Sequence, residues 1–574
     1  MKKFKLICFI IIILLDLCSF NLFAQNYKPG PQDLVFFSSV DETNQPYSLY
    51  IPKNYNENEK YPLVIFLHGI MSNNRLGLRR VFGLGNIQGP DFQTPGFVPP
   101  QTDLEATRFY PKMKDIDYFV AAPFARGTAG YQGIPEEDFY EMIDDIKSRF
   151  NIDEDRLYLT GLSAGGAGTL WLGLTKPDMW AAIAPLCPAV PENMNNLAGN
   201  ALNIPVHLFV GDRDALFPTA EKCFDLFKNN EVNIEYKIYP GIAHNCWEYA
   251  YKDGFIFDWF SQFERNLFPD KVKYSTKQFK YNKAYWVKFD DFIPGTWASI
   301  DAAFTGVDSI EITTSGLDAF TLNLKEHPLF SANTKLVILV DGKSFAIKTP
   351  DAVSFSKEGG TWKNKKFTPG LFSKQPGAEG PVLEALNNNH IYVYGTADSP
   401  SPEELNKRIA EANMAADWAA YRPVVGRMMI FPRVLADTEV RQSDIEISNL
   451  VLFGTEEINS IISKFAGKLP IHLKEEASKT FGLLYIFPLN GHYVLVNSGL
   501  PWWTPKEQQE NQSPLGGFSM TLSKAASTLP KTNDFLLFEN IPDNVISQGT
   551  FDNNWKFPSE ELIKLKNSGV VVVK

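Results

Sequence analysis

Gly161-Leu162-Ser163-Ala164-Gly165-Gly166 follows the apolar run Leu157-Tyr158-Leu159-Thr160 and precedes Ala167–Lys176, a stretch compatible with a helix. A serine with glycines two positions to either side, set between a strand and a helix, reads as a nucleophile elbow. The turn would hold Ser163 in a strained conformation that lifts its hydroxyl above the sheet. Residues 161 and 165 would then approach too closely for side chains, hence the two glycines. The helix that starts there would turn its N–H groups and dipole toward developing negative charge.

A serine hydroxyl is a weak nucleophile and needs a base and an orienting acid, which in this arrangement follow in the order Ser, acid, His. The acid is sought in Gly211-Asp212-Arg213-Asp214-Ala215-Leu216-Phe217-Pro218, just past the apolar run Val206–Val210. Asp214 is expected over Asp212, because the loop needs room after the strand to turn toward the base; Asp212 is expected to cap the turn or pair with Arg213. The base is expected at His244, on the Gly/Pro-marked loop Tyr239–Trp247. Of the seven histidines, His207 lies inside a strand pattern, His68 precedes the nucleophile, and His327, His390, His472 and His492 lie beyond the region. The oxyanion donors are expected to be the backbone N–H groups of Ala164, directly after the nucleophile, and Ile70, after the turn Leu67-His68-Gly69. His68 is given a structural role on that loop, and Trp247 a place in the substrate-pocket wall. The chemistry is covalent acyl transfer, for which neither a metal nor an organic cofactor is expected.

These residues need strands and helices to position them. Strands are expected at Leu63–Leu67, Tyr118–Ala122, Leu157–Thr160, Ala181–Leu186, Val206–Val210 and Ile234–Ile238, with an antiparallel edge arm at Tyr47–Pro52. A helix is expected over Asp138–Phe150, where Phe139, Met142, Ile143, Ile146 and Phe150 recur at helical spacing. Alternation of strands and helices over residues 25–271 predicts an α/β fold with a largely parallel sheet. Residues 83–103, rich in Gly, Pro and Gln, read either as a lid or as a solvated insertion. Residues 272–366 alternate in polarity with turns between, as in a β-sandwich-like module. Phe367–Gly380 reads as a linker, and 381–574 as a small α/β domain.

The chain of 574 residues is 44% hydrophobic and 21% charged, ordinary values for a globular protein. A net charge of −11 offers nothing to nucleic acid or an anionic membrane. Lys2, Lys3 and Lys5 precede the apolar run Leu6–Leu15, which as a helix spans about 15 Å, half a bilayer core. Residues 1–24 therefore read as a signal peptide cleaved near Ala24, and the protein as secreted or periplasmic, with no stable membrane anchor. A lipid anchor on Cys18 is disfavoured by Leu17, where a small residue is normally needed. Cys187, Cys223 and Cys246 remain, without metal-ligand spacing. A disulfide between Cys187 and Cys246 bracing the His244 loop is one expectation; the other is three buried thiols.

Residues 45–268 resemble the esterase branch of the α/β-hydrolase superfamily, which includes feruloyl and acetyl-xylan esterases, polyhydroxybutyrate-depolymerase-like enzymes and the catalytic domain of prolyl oligopeptidases. The resemblance rests on YPLVIFLHGI at Tyr61–Ile70, FNIDEDRLYLTGLSAGG at Phe150–Gly166, Gly211–Pro218 and Gly241–Trp247. It implies Ser163, Asp214 and His244 as a catalytic triad. The chain departs from the esterases after His68-Gly69, where Ile70-Met71-Ser72 stand in place of further glycines, and this bears on the second oxyanion donor. Three readings follow: hydrolysis of an ester of a small acid, with carbohydrate as its alcohol; a prolyl-oligopeptidase-like peptidase, against which counts the short stretch between signal and hydrolase region, too short for a gating propeller; and a binding or scaffold protein with a vestigial hydrolase domain.

Overall fold

The computed structural model describes residues 27–574 apart from 71, 85–109, 128–129, 192, 294, 332–334, 349–351, 371, 423–425 and 504–527. The expected signal segment and residues 85–103 of the expected lid lie outside the described residues.

Tyr61–Leu67 is buried along its whole length, the mark of a strand covered on both faces. It is the third strand, β3, of an eight-stranded sheet. The others are β1 (Gly30–Ser38), β2 (Thr43–Ile51), β4 (Phe119–Pro123), β5 (Ile152–Leu162), β6 (Ala182–Leu186), β7 (Val206–Gly211) and β8 (Ile234–Tyr239). Their order is β1-β2-β4-β3-β5-β6-β7-β8. Strands β3 to β8 run parallel, and β1 and β2 close one edge as an antiparallel hairpin. Side chains alternate between the two faces. Leu63, Ile65 and Leu67 pack with Met142, Ile146, Leu170 and Leu174, from the helices Ile134–Arg149 and Ala164–Thr175. Val64 and Phe66 pack with Leu78, Val81, Ile256 and Phe260, from the helices Asn74–Val81 and Phe255–Phe260. The first of these helices begins four residues earlier than its hydrophobic spacing predicts. Pro135 sits in its first turn, where a missing N–H costs nothing, and Glu136 and Glu137 favour the dipole's positive end.

Two five-stranded sheets follow. They span Lys271–Thr276 to Thr361–Lys363 and bury Val272, Ile300, Ile312, Phe320, Ile338 and Phe355 between them. The last part holds a seven-stranded mixed sheet, from Arg433–Ala436 at one edge to Val545–Gly549 at the other, with the helix Pro402–Ala420 among its elements. Among the described residues no helix is long and apolar enough to cross a membrane.

The three parts are tied by buried polar groups. Arg126, fully buried, bonds Asp41, Asp138 and Ser38 within the first sheet's layer and the carbonyl of Met429 from the last part. Glu136 accepts from Trp171 Nε1 and from Tyr281 Oη of the middle part. Glu379 accepts backbone N–H bonds from Phe279 and Lys280, and its own N–H meets Tyr493. The Phe367–Gly380 stretch, expected as a linker, is held at two buried points, while Phe372 in it is 70% exposed. Lys374 and Glu379 are both buried in it, Lys374 against Asp534.

Candidate active site

Ser163 stands between β5 and the helix Ala164–Thr175 with φ 56° and ψ −116°, the strained elbow geometry expected. Its N–H donates to Leu186 O on the neighbouring strand at 2.9 Å. The glycine requirement is visible as distance. A Cβ at residue 161 would lie 2.5 Å from Gly165 O, and one at residue 165 would lie 2.0 Å from Leu67 O. The elbow is wedged against the end of β3 as well as against itself. The helix has no side-chain cap at its start, so its N-cap side chain does not take up the first-turn amides, which have no intrahelical acceptor.

The loops after β7 and β8 bring the other two residues together. His244 Nδ1 meets Asp214 Oδ2 at 2.8 Å, with both side chains almost wholly buried. The other carboxylate oxygen accepts from Leu216 N at 2.9 Å, which fixes the carboxylate plane. Asp212 does what a turn aspartate does: exposed, it accepts the Gly241 N–H at 2.7 Å. The two loops are laced further by Arg213 N–H to Ile242 O at 3.0 Å. Gly211 permits the crossing, since a Cβ there would lie 2.1 Å from Ile242 O; nothing in its local sequence marks it out.

His68 is held on the loop after β3, 2% exposed, with Nδ1 2.9 Å from Gly69 O and Nε2 3.0 Å from Phe124 O. Burial lowers its pKa, with the Gly69 and Phe124 carbonyls opposing the shift. Its carbonyl accepts from Tyr131 Oη at 3.0 Å, so a tyrosine that sequence spacing does not mark anchors the loop carrying Ile70. Ile70 itself is 39% exposed. Trp247 is half-buried, its ring perpendicular to that of His244 at 5.6 Å, with the Arg80 guanidinium 5.3 Å from its centroid.

The disulfide expected between Cys187 and Cys246 is not formed. Both are free, fully buried thiols, in the apolar layer with Phe209 and Tyr251. The hydrogen bonds between the Asp and His loops do the bracing instead. The fold does something cysteine spacing could not reveal: Cys187, Asp214 and His244 place one donor atom each within 4.8 Å of one another.

The model of the prolyl oligopeptidase family matches residues 124–202. Poly(3-hydroxyalkanoate) depolymerase C of Paucimonas lemoignei is 44% identical over 73 residues, 13% of this chain and 16% of the depolymerase. A solved thermostable esterase shares 22% identity, with 41% of this chain and 63% of its own covered at a TM-score of 0.33. A ferulic acid esterase shares 18%, with 42% and 99% covered at 0.31. The chain thus spans about a sixth of the curated relative and under two thirds of the thermostable esterase. Strand order, the elbow at Ser163 and the paired loops after β7 and β8 together give the first part of this chain the α/β-hydrolase fold.

Proposed function

We propose that the protein is an exported serine hydrolase that cleaves carboxylic esters through an acyl-enzyme. The observation that carries this is the buried Asp214–His244 pair at 2.8 Å on the loops beside the elbow. Ser163 Oγ attacks the ester carbonyl as its proton passes to His244 Nε2. Asp214 holds the Nδ1–H tautomer and stabilises the imidazolium. The N–H groups of Ala164 and Ile70 receive the oxyanion. His244 returns the proton to the leaving alcohol, and water repeats the sequence in reverse to release the acid. Trp247, standing against the His244 ring, forms part of the pocket wall. No step requires a metal or cofactor.

The substrate is read as an ester of a small acid, with carbohydrate as its alcohol, in the manner of feruloyl and acetyl esterases. The local identity to a polyester depolymerase supports ester chemistry, and the N-terminal basic-then-apolar pattern supports export to the periplasm or medium. The catalytic unit is assigned to residues 25–271, followed by a sandwich module (272–366) and a small α/β domain (381–574). The match to the prolyl oligopeptidase family favours a second reading, peptidase activity. Hydrolysis of p-nitrophenyl acetate, methyl ferulate and a prolyl arylamide by wild type and Ser163→Ala separates the readings. Ester turnover lost in the variant supports the first, and arylamide turnover alone the second. Equal inactivity of both proteins on every substrate would leave a binding or scaffold protein.

A further inference from the structure

Cys187 reaches the site from the end of β6, Asp214 from the loop after β7 and His244 from the loop after β8. Three neighbouring strands thus deliver three different donors to one spot: a sulfur, a carboxylate oxygen and a ring nitrogen, all within 4.8 Å and all buried. A second buried thiol, Cys246, follows His244 by two residues and lies in the same apolar layer as the first. The hydrolytic steps above use neither sulfur. Thiolate, imidazole and carboxylate together are the donor set of Zn²⁺ and similar borderline-soft divalent cations. Hard cations such as Mg²⁺ and Ca²⁺ want six or more oxygens, which this spot does not offer.

With Zn–S of about 2.3 Å and Zn–N and Zn–O of about 2.1 Å, a tetrahedral ion holds its donor atoms about 3.5 Å apart. The side chains here need to adjust by about an ångström to meet that. The geometry points to an inhibitory site for a soft divalent cation, formed by Cys187 Sγ, the Asp214 carboxylate and a ring nitrogen of His244, with Cys246 Sγ or water as fourth donor. This inference rests on the triad reading for its effect on activity, though not for binding. On binding, the Cys187 S–H bond breaks and its proton leaves to solvent as a Zn–S bond forms, while the His244 Nδ1 proton passes to Nε2 as Nδ1 takes the ion; no electrons are transferred. Dipositive ion, one thiolate and one carboxylate sum to zero charge, which a buried site tolerates far better than an uncompensated cation. The ion takes imidazole and carboxylate out of their catalytic pairing, so His244 no longer accepts the Ser163 proton. The enzyme is then silent until the cation is removed.

Two arms test this. In the first, p-nitrophenyl acetate hydrolysis is titrated with ZnCl₂ for wild type, Cys187→Ala and Cys246→Ala. The expected result is inhibition of wild type that EDTA reverses, with the half-inhibitory concentration raised at least tenfold in Cys187→Ala. In the second, Co²⁺ is added to Ser163→Ala, which binds metal whether or not the enzyme is an esterase. A thiolate-to-cobalt charge-transfer band is expected there and is absent from Ser163→Ala/Cys187→Ala. Equal zinc sensitivity of wild type and Cys187→Ala, or no cobalt band in Ser163→Ala, overturns the site. An inactive wild type that still shows the band overturns the proposed function and leaves the site standing.

Discussion

Replacing Asp214 by Asn tests the assignment of the acid most sharply, because the surroundings dictate how the amide must sit. One carboxylate oxygen accepts the Leu216 N–H at 2.9 Å and the other meets His244 Nδ1 at 2.8 Å. In Asp214→Asn the amide oxygen has to face Leu216 N, since the opposite flip sets two donors against each other. The NH₂ group then points at His244 Nδ1 and makes that nitrogen the acceptor. The imidazole is forced into the Nε2–H tautomer, which has no lone pair for the Ser163 proton. A wrong tautomer with geometry intact costs about 10⁴ in kcat in a serine protease triad, or about 5.4 kcal/mol of barrier. The same loss is expected here. The assay is p-nitrophenyl acetate turnover, with the acyl-enzyme burst measured alongside KM. Asp212→Asn is the control: its side chain accepts the Gly241 N–H, which an amide oxygen still accepts, so kcat should change less than about threefold. Asp214→Asn retaining a tenth of wild-type kcat, or Asp212→Asn falling as far as Asp214→Asn, refutes the assignment.

Gly165→Ala sets a Cβ 2.0 Å from Leu67 O and must push the oxyanion loop or the elbow by about an ångström, so kcat should fall about a hundredfold; wild-type kcat with an unshifted thermal midpoint would contradict this. Arg126→Met strands Asp41 and Asp138 without their buried cation and should cost about 3–5 kcal/mol in urea unfolding, whereas a midpoint within error of wild type would show that the carboxylates find another partner. Burial raises the pKa of Glu384 to about 7, with Glu136 and Glu137 adding to the rise and Lys280 opposing it. The folded state therefore keeps a proton that the unfolded chain gives up near pH 4.5, so stability falls as pH rises from about 5 to 7. Glu384→Gln should gain thermal stability relative to wild type across that window, and a constant difference in Tm would refute the argument.

The sheet was legible because its strands announce themselves: β3 and β5 to β8 are short branched-apolar runs with turn signals after them, and the elbow glycines sit where only glycine fits. The hairpin strand β1 was not. Its Phe37 is 63% exposed while Phe36 is buried, an edge pattern that becomes visible only when β2 lies beside it. Asp214 could be preferred over Asp212 from loop length alone, but Tyr131 and Gly211 owe their roles to contacts with residues 63 and 31 positions away. The buried tether points of the expected linker were hidden for the same reason. Gly and Pro mark local freedom, and only the fold reveals that Lys374 finds Asp534, 160 positions later. The cysteine pair was rightly placed beside the His loop, yet proximity in a strand order does not say whether two sulfurs bond covalently or stay free.

Arg126 and the Met429 carbonyl that it grips are 303 positions apart. At about 5–20 residues per second of synthesis, the ribosome reaches Met429 some 15–60 s after Arg126. The first sheet can assemble in that interval, but Val40 and Ile134, which pack with Ala420, Met428 and Ile430 in the finished protein, wait uncovered at its end. The nascent chain therefore passes through a long-lived half-clasped stage with an apolar notch open at Val40 and Ile134. A cell making this protein has to hold that stage away from other unfinished chains until the last part arrives to close it.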